Sequence, residues 1–159
     1  QLAEHTLERA YKALVWGLPK PQQGDIEGNI GRSSANRKKM AVVPRGGKTA
    51  FTRYRVSRSI GTKASLVECR LATGRTHQIR VHLAHIGHPV IGDPLYSRGT
   101  RRSLPKIDTD IRLKISAFKR QALHAFLIGF THPKSGEKLS FEIDVSLDFN
   151  ELISSLDEI

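Results

Sequence analysis

The chain has 159 residues, 38% of them hydrophobic, with 26 Lys/Arg against 15 Asp/Glu and a formal charge of +11. That length suits one domain with a real core, and no stretch approaches the roughly 20 consecutive apolar residues of a membrane-spanning helix. Cys69 is the only cysteine, which excludes an internal disulfide and makes a reducing cytoplasm the expected setting.

The charge is segregated. Ten Lys/Arg and no acid lie between Asn29 and Val67, whereas residues 137–159 hold seven acids and one lysine. A basic block of this kind is expected to bind a polyanion by releasing counterions from phosphates; a solubilising basic surface is the plainer alternative. The chain opens on Gln1 and its sole methionine is Met40, so it is expected to be part of a longer polypeptide.

Residues 2–9 have helical composition. "AYKALVWG" (10–17) has the character of a strand, closed by Gly17 and Pro19. The polar, Gly/Pro-rich segment 19–39 is expected to be a long loop. "MAVV" (40–43) suits a short strand. "AFTRYRVS" (50–57) and "SLVECRLA" (65–72) alternate polar and apolar residues and predict two half-buried strands joined by a hairpin turn. The spacing of Ile79, Leu83 and Ile86 predicts a helix that starts at a Thr76 N-cap and ends at Gly87. Residues 97–120 are basic and poorly patterned. "ALHAFLIGFTH" and "KLSFEIDV" flank a turn and predict a second hairpin. A last helix is expected over "LDFNELISSLDEI", with Asp148 and Glu151 as capping box and Phe149, Leu152, Ile153 and Leu156 as its buried face. Strands joined mostly by hairpins predict an α+β fold with a mixed, mostly antiparallel sheet and flanking helices.

His82, His85 and His88 are spaced by three. A zinc site needs three or four ligands and a supporting shell. His88 follows Gly87 and so falls beyond the helix end, and no second Cys/His cluster exists. Capping and hydrogen-bonding roles are the preferred reading for these histidines.

"TGRTHQIRVHLAHIGHPVIGDPLY" (73–96) resembles the signature of the ribosomal large-subunit pseudouridine synthases, the RluA/RluD group. "ERAYKALVWG" (8–17) resembles that family's tyrosine-bearing strand, residues 37–56 its basic region and following strand, and residues 119–143 its closing hairpin. The resemblance spans nearly the whole chain and implies isomerisation of uridine to pseudouridine in structured RNA, with the target base flipped into a pocket and no metal or organic cofactor. It implies that Tyr11 stacks on the target base and that Arg80 pairs with the catalytic aspartate, holding it ionised. Ile79 and Leu123 are then candidate pocket walls. Arg75, His77 and Gln78, with Arg32, Arg37, Lys38 and Lys39, are candidate RNA contacts. Asp93, in "GDP", is expected to be a turn residue bonding its own backbone.

The family's catalytic aspartate lies in a His-Arg-Leu-Asp segment upstream of the tyrosine strand, and no such segment occurs in these 159 residues. The chain is therefore expected to be the C-terminal portion of a catalytic domain. Its partner would be the missing N-terminal part of the same protein, and alone it would be inactive, because Tyr11 and Arg80 cannot replace a nucleophile. A non-catalytic RNA-binding module stays open as the alternative.

Overall fold

The structure, a computed structural model, describes residues 7–97 and 108–157. In chain order the elements are β1 (Glu8–Trp16), β2 (Gln23–Arg32), β3 (Met40–Val43), β4 (Lys48–Ile60), β5 (Ala64–Leu71), α1 (Gln78–His85), α2 (Thr109–Ala117), β6 (Leu123–Thr131), β7 (Lys138–Glu142) and α3 (Leu147–Leu156). The strands form one sheet in the order β3-β2-β4-β5-β1-β6-β7. Every neighbouring pair is antiparallel, so the expected α+β class holds.

Period-two side-chain alternation decides which face each helix covers. Tyr11 lies opposite Cys69, which in turn lies opposite Tyr54, so these three share a face. Helix α1 rests on that face, tied to Thr52 Oγ1 by Gln78 Nε2 at 3.0 Å and His82 Nδ1 at 2.9 Å. Lys12 and Leu14 point to the other face, where α3 packs. Arg58 reaches Asp157 at 2.6 Å there, and Phe149 meets His124. Phe149, Leu152, Ile153 and Leu156 are buried as their spacing predicts.

Four expectations differ from the structure. Residues 1–6 lie outside the described residues, but Glu8 and Arg9, placed in the expected first helix, begin β1. The expected loop 19–39 contains β2, ten residues long. Its glycines hide it because neighbouring strands and a crossing connection approach them closely. β3 and β4 pair with opposite edges of β2, so residues 44–47 must pass over it. A Cβ at Gly28 would sit 2.7 Å from Val42, and one at Gly31 3.3 Å from the Gly47 backbone. Ile26 and Ile30 still alternate into the core. Third, α1 is N-capped by His77 rather than Thr76, in the left-handed region at φ 57; the Gln78 side chain accepts the Arg75 N–H at 2.9 Å and closes the turn from within. Fourth, Ser146 takes the N-cap of α3, and Asp148 lies inside the helix paired with Arg120.

The far end of α1 follows the sequence. Gly87 adopts φ 87; its N–H reaches the Ala84 carbonyl at 3.0 Å, and that of His88 reaches Leu83 at 2.8 Å. This is a Schellman ending.

His82 is fully buried beneath α1. Burial, then the charge of His85, pushes its pKa down from 6.5 to about 4. The folded state therefore favours neutral imidazole. Stability is fully present above pH 6.5 and is lost as pH falls toward 4, by about 3 kcal/mol. Urea unfolding across this range should show that loss, and His82→Gln should flatten the curve.

Candidate active site

Arg80 is 8% exposed and Asp93 3%. Arg80 Nε donates to Asp93 Oδ2 at 2.7 Å and Nη2 to Oδ1 at 2.8 Å, a two-pronged pair. Asp93 Oδ1 also accepts the Leu95 and Tyr96 N–H groups at 2.9 and 3.0 Å, so the expected turn is present. Burial pushes the Asp93 carboxyl up, but the Arg80 hydrogen bonds, the two backbone amides and the Arg80 charge outweigh it and hold the pKa below the usual carboxylate value. The guanidinium lies 4.9 Å from the Tyr96 ring centroid, a cation–π contact.

The segment before Asp93 is fixed to β1. Val90 bridges Val15. The Ile91 N–H donates to Leu14 at 2.8 Å, the Trp16 N–H to Pro89 at 3.0 Å, and the Ala122 N–H to Ile91 at 2.8 Å. Gly92 has φ 73, and a Cβ there would run into the Arg120 carbonyl. The strand that carries Tyr11 and the helix that carries Arg80 thus share one frame through residues 89–93.

Tyr11 is half-buried on the α1 face of the sheet, flanked by Cys69 and by the exposed Ala125. Leu123 pairs with Ala13 on the same face and is also half-buried. Ile79 is 4% exposed and belongs to the core. Its contact with the outside is therefore less than that of Leu123.

The start of α1 meets the basic region. His77 Nδ1 lies 2.9 Å from the Tyr96 hydroxyl, and the Met40 N–H donates to that hydroxyl at 3.1 Å. Tyr96 therefore holds His77 beside the end of the basic loop. Burial, then the Arg80 charge, lowers the His77 pKa, with Asp93 opposing, so the ring is neutral at pH 7. Arg75 Nε donates to the Thr49 carbonyl at 2.9 Å. Arg32, Arg37 and Lys38 are exposed and Lys39 half-buried; Arg32 Nη1 donates to the Arg37 carbonyl, and Asn36 Oδ1 accepts the Lys38 N–H, each giving the loop a defined path. Gln78 is different. It is 3% exposed, and its amide is committed to Phe51, Thr52, Thr73 and Arg75.

Eight of the ten bases between Asn29 and Val67 fall into two groups. Arg53, Arg55 and Arg58 pair with Asp25, Glu68 and Asp157, and the sheet face they line is close to neutral. Arg32, Arg37, Lys38, Arg45 and Lys48 sit at the β2-β3-β4 end and are exposed. Among the described residues, no three His, Cys, Asp or Glu converge as metal ligands would. His82 is bonded to Thr52, and His88 Nδ1 to the Trp16 carbonyl at 2.8 Å.

The Arg80–Asp93 pair, the Tyr96 hydroxyl and the Thr52 hydroxyl were not legible as site elements, since each meets its partner only through tertiary packing. The one local signal was Gly-Asp-Pro, which marks a turn and leaves the second oxygen's partner unspecified.

The model of the RNA pseudouridylate synthase family matches residues 1–85. The chain is similar to ribosomal large subunit pseudouridine synthase D of Zymomonas mobilis, 45% identical over 157 residues, which is 98% of this chain and 47% of the relative. It is similar to the protein of the same name from Neisseria meningitidis, 47% identical over 98% of this chain and 40% of the relative. Among solved structures, human RNA pseudouridylate synthase domain containing 4 superposes with a TM-score of 0.72 at 25% identity, over 96% of this chain and 63% of that one. The chain spans about half the length, or less, of these curated relatives. Its overall fold, its signature segment and these matches agree: the chain belongs to the RNA pseudouridylate synthase family.

Proposed function

We propose that residues 1–159 form the tyrosine- and arginine-bearing portion of a catalytic domain that isomerises uridine to pseudouridine in RNA, with large-subunit ribosomal RNA as substrate in the cytoplasm. The observation that carries this reading is the common frame of Tyr11 and Arg80, joined through Asp93 and residues 89–93. In the reaction the N1–C1′ bond breaks, the uracil turns and a C5–C1′ bond forms; C5 loses a proton and N1 gains one, so the product is an isomer. Tyr11 stacks on the flipped base and assists at C5. Leu123 is a wall of the base pocket, and Ile79 supports it from the core. Asp93 occupies one edge of the Arg80 guanidinium, and the Nη1 edge is the one that would hold the catalytic carboxylate ionised. That carboxylate belongs to a segment outside these 159 residues, and no metal or organic cofactor is required.

The RNA surface in this reading is the β2-β3-β4 end: Arg32, Arg37, Lys38, Lys39, Arg45 and Lys48, continued by Arg75 and His77. Gln78 braces this surface from behind rather than touching RNA, because its amide is already committed.

The enzymatic reading is tested by pseudouridine formation on ribosomal RNA. The isolated chain should form none, and turnover by it would refute the need for an outside nucleophile. A fusion that places the preceding part of the Zymomonas relative ahead of Gln1 should be active. Tyr11→Phe in that fusion should lower turnover by about 100-fold or more with little change in RNA affinity. A fusion that folds and binds RNA without forming pseudouridine would contradict the proposal.

Binding supplies a separate check. Log affinity should fall linearly with log salt, and Arg37→Ala/Lys38→Ala/Lys39→Ala should reduce the slope by about 2 to 3. Arg53→Ala/Arg55→Ala should leave it nearly unchanged. Equal effects of the two sets would move the interface elsewhere.

A further inference from the structure

Tyr96 closes the signature segment and is 8% exposed. It touches the Arg80–Asp93 pair twice. Its N–H donates to Asp93 Oδ1 at 3.0 Å, and its ring faces the Arg80 guanidinium, whose Cζ lies 4.9 Å from the ring centroid. Its hydroxyl reaches further. It accepts the Met40 N–H at 3.1 Å, where β3 begins, and lies 2.9 Å from Nδ1 of His77, the cap of α1. One side chain therefore meets the end of the basic loop, the start of α1 and both members of the buried pair.

The hydroxyl has one hydrogen, and the geometry decides where it goes. Either the hydroxyl donates to Nδ1, or the ring carries its proton on Nδ1 and donates to the hydroxyl. In the second arrangement the oxygen accepts twice, and its own hydrogen meets no acceptor among the described residues. A buried donor left without a partner carries its full desolvation cost, so the first arrangement holds. It leaves His77 neutral, with its proton on Nε2. Burial of the ring and the nearby Arg80 charge favour the neutral form as well.

The backbone at His77 needs this support. His77 stands at φ 57, a region that residues with a side chain seldom adopt and that persists where surrounding contacts determine it. Its side chain gives α1 no capping hydrogen bond, so the bond to Tyr96 is what ties the ring down. Its carbonyl accepts the Val81 N–H at 2.9 Å in the first turn of α1. Arg80 follows within that turn, so the direction in which α1 leaves His77 sets where the guanidinium falls.

We propose that Tyr96 is a positioning residue for uridine isomerisation: its hydroxyl donates to His77 Nδ1 and fixes the left-handed start of α1, and its ring steadies the Arg80 guanidinium against Asp93. Tyr96 touches no substrate and acts through Arg80. Its effect on turnover rests on the catalytic reading of Arg80; its geometry rests only on contacts within the described residues.

Nitrogen NMR of protein labelled at His and Arg tests the geometry without activity. In the 159-residue chain, alone or fused behind the Zymomonas segment, His77 should be the Nε2–H tautomer at pH 7. Tyr96→Phe keeps the ring and loses the hydroxyl. It should mix the two tautomers and speed hydrogen exchange at the Arg80 Nε–H by about tenfold, with circular dichroism unchanged. In the fusion the same variant should lower kcat about tenfold. RNA affinity should stay within about twofold, since no phosphate-binding charge is removed. Tyr96→Leu, which removes the ring as well, should lower kcat further. A wild-type His77 protonated on Nδ1 overturns the proposal. So does Arg80 Nε–H exchange that Tyr96→Phe leaves unchanged, or a loss of RNA affinity at unchanged kcat, which would make the hydroxyl part of the RNA surface. An inactive wild-type fusion would refute the catalytic reading instead, and the tautomer and exchange results would still decide whether Tyr96 positions Arg80.

Discussion

The buried pair of Arg80 and Asp93 is the constraint on which the site depends. Removing two charges from water is costly, and the attraction between them rarely exceeds that cost by much. The pair is therefore a poor source of net stability. Its value is positional. Arg80 comes from α1 and Asp93 from a segment clamped to β1 by backbone bonds. Two hydrogen bonds to a planar guanidinium fix its orientation as well as its place. The Leu95 and Tyr96 amides hold the carboxylate from the other side, so the pair has little freedom to rotate. Breaking one side strands an uncompensated charge, which costs several kcal/mol.

Around this pair the molecule is polarised along the sheet. At the β3 end, exposed Arg and Lys side chains crowd two connections, one joining β2 to β3 and one crossing over β2 to β4. In the middle, arginines of β4 and β5 are matched by acids on neighbouring strands, which cancels their field. At the β7 end the same sheet is apolar on one face, and β7 pairs with β6 alone among the described strands. Tyr11 sits between these regions, one strand away from β6. Tyr96 links the basic end to the helix start by accepting from Met40 while meeting His77. The left-handed His77 is the strained residue in that link, and strain of this kind persists where surrounding contacts determine it.

Much of this was legible in the residues. Alternation in residues 50–57 and 65–72 marked β4 and β5, and helical spacing with Gly87 marked α1 and its end. The resemblance of 8–17 marked Tyr11 and that of 73–96 marked Arg80, although not how the two are joined. β2 was hidden because three glycines removed the apolar signal that alternation needs, and their neighbours, Tyr54, Val42 and Gly47, are brought to them only by the fold. The α1 cap is hidden in the sequence because a glutamine side chain closes the turn, where hydroxyls and carboxylates are the usual N-caps. Ten bases look like one surface in the sequence, and acids distant from them, Asp25 on β2 and Asp157 at the end of α3, divide it. Asp93 is a turn residue as its sequence context implies, and both of its oxygens also hold Arg80, a contact the sequence does not show.

The most direct measurement is a double-mutant cycle on Arg80 and Asp93 by urea unfolding. Arg80→Met and Asp93→Asn should each cost about 3–5 kcal/mol. The double variant should cost no more than the worse single one, because removing the second group relieves the stranded charge. Additive losses would mean that the two side chains act independently, and the frame that joins Tyr11 to Arg80 would then have to be sought elsewhere.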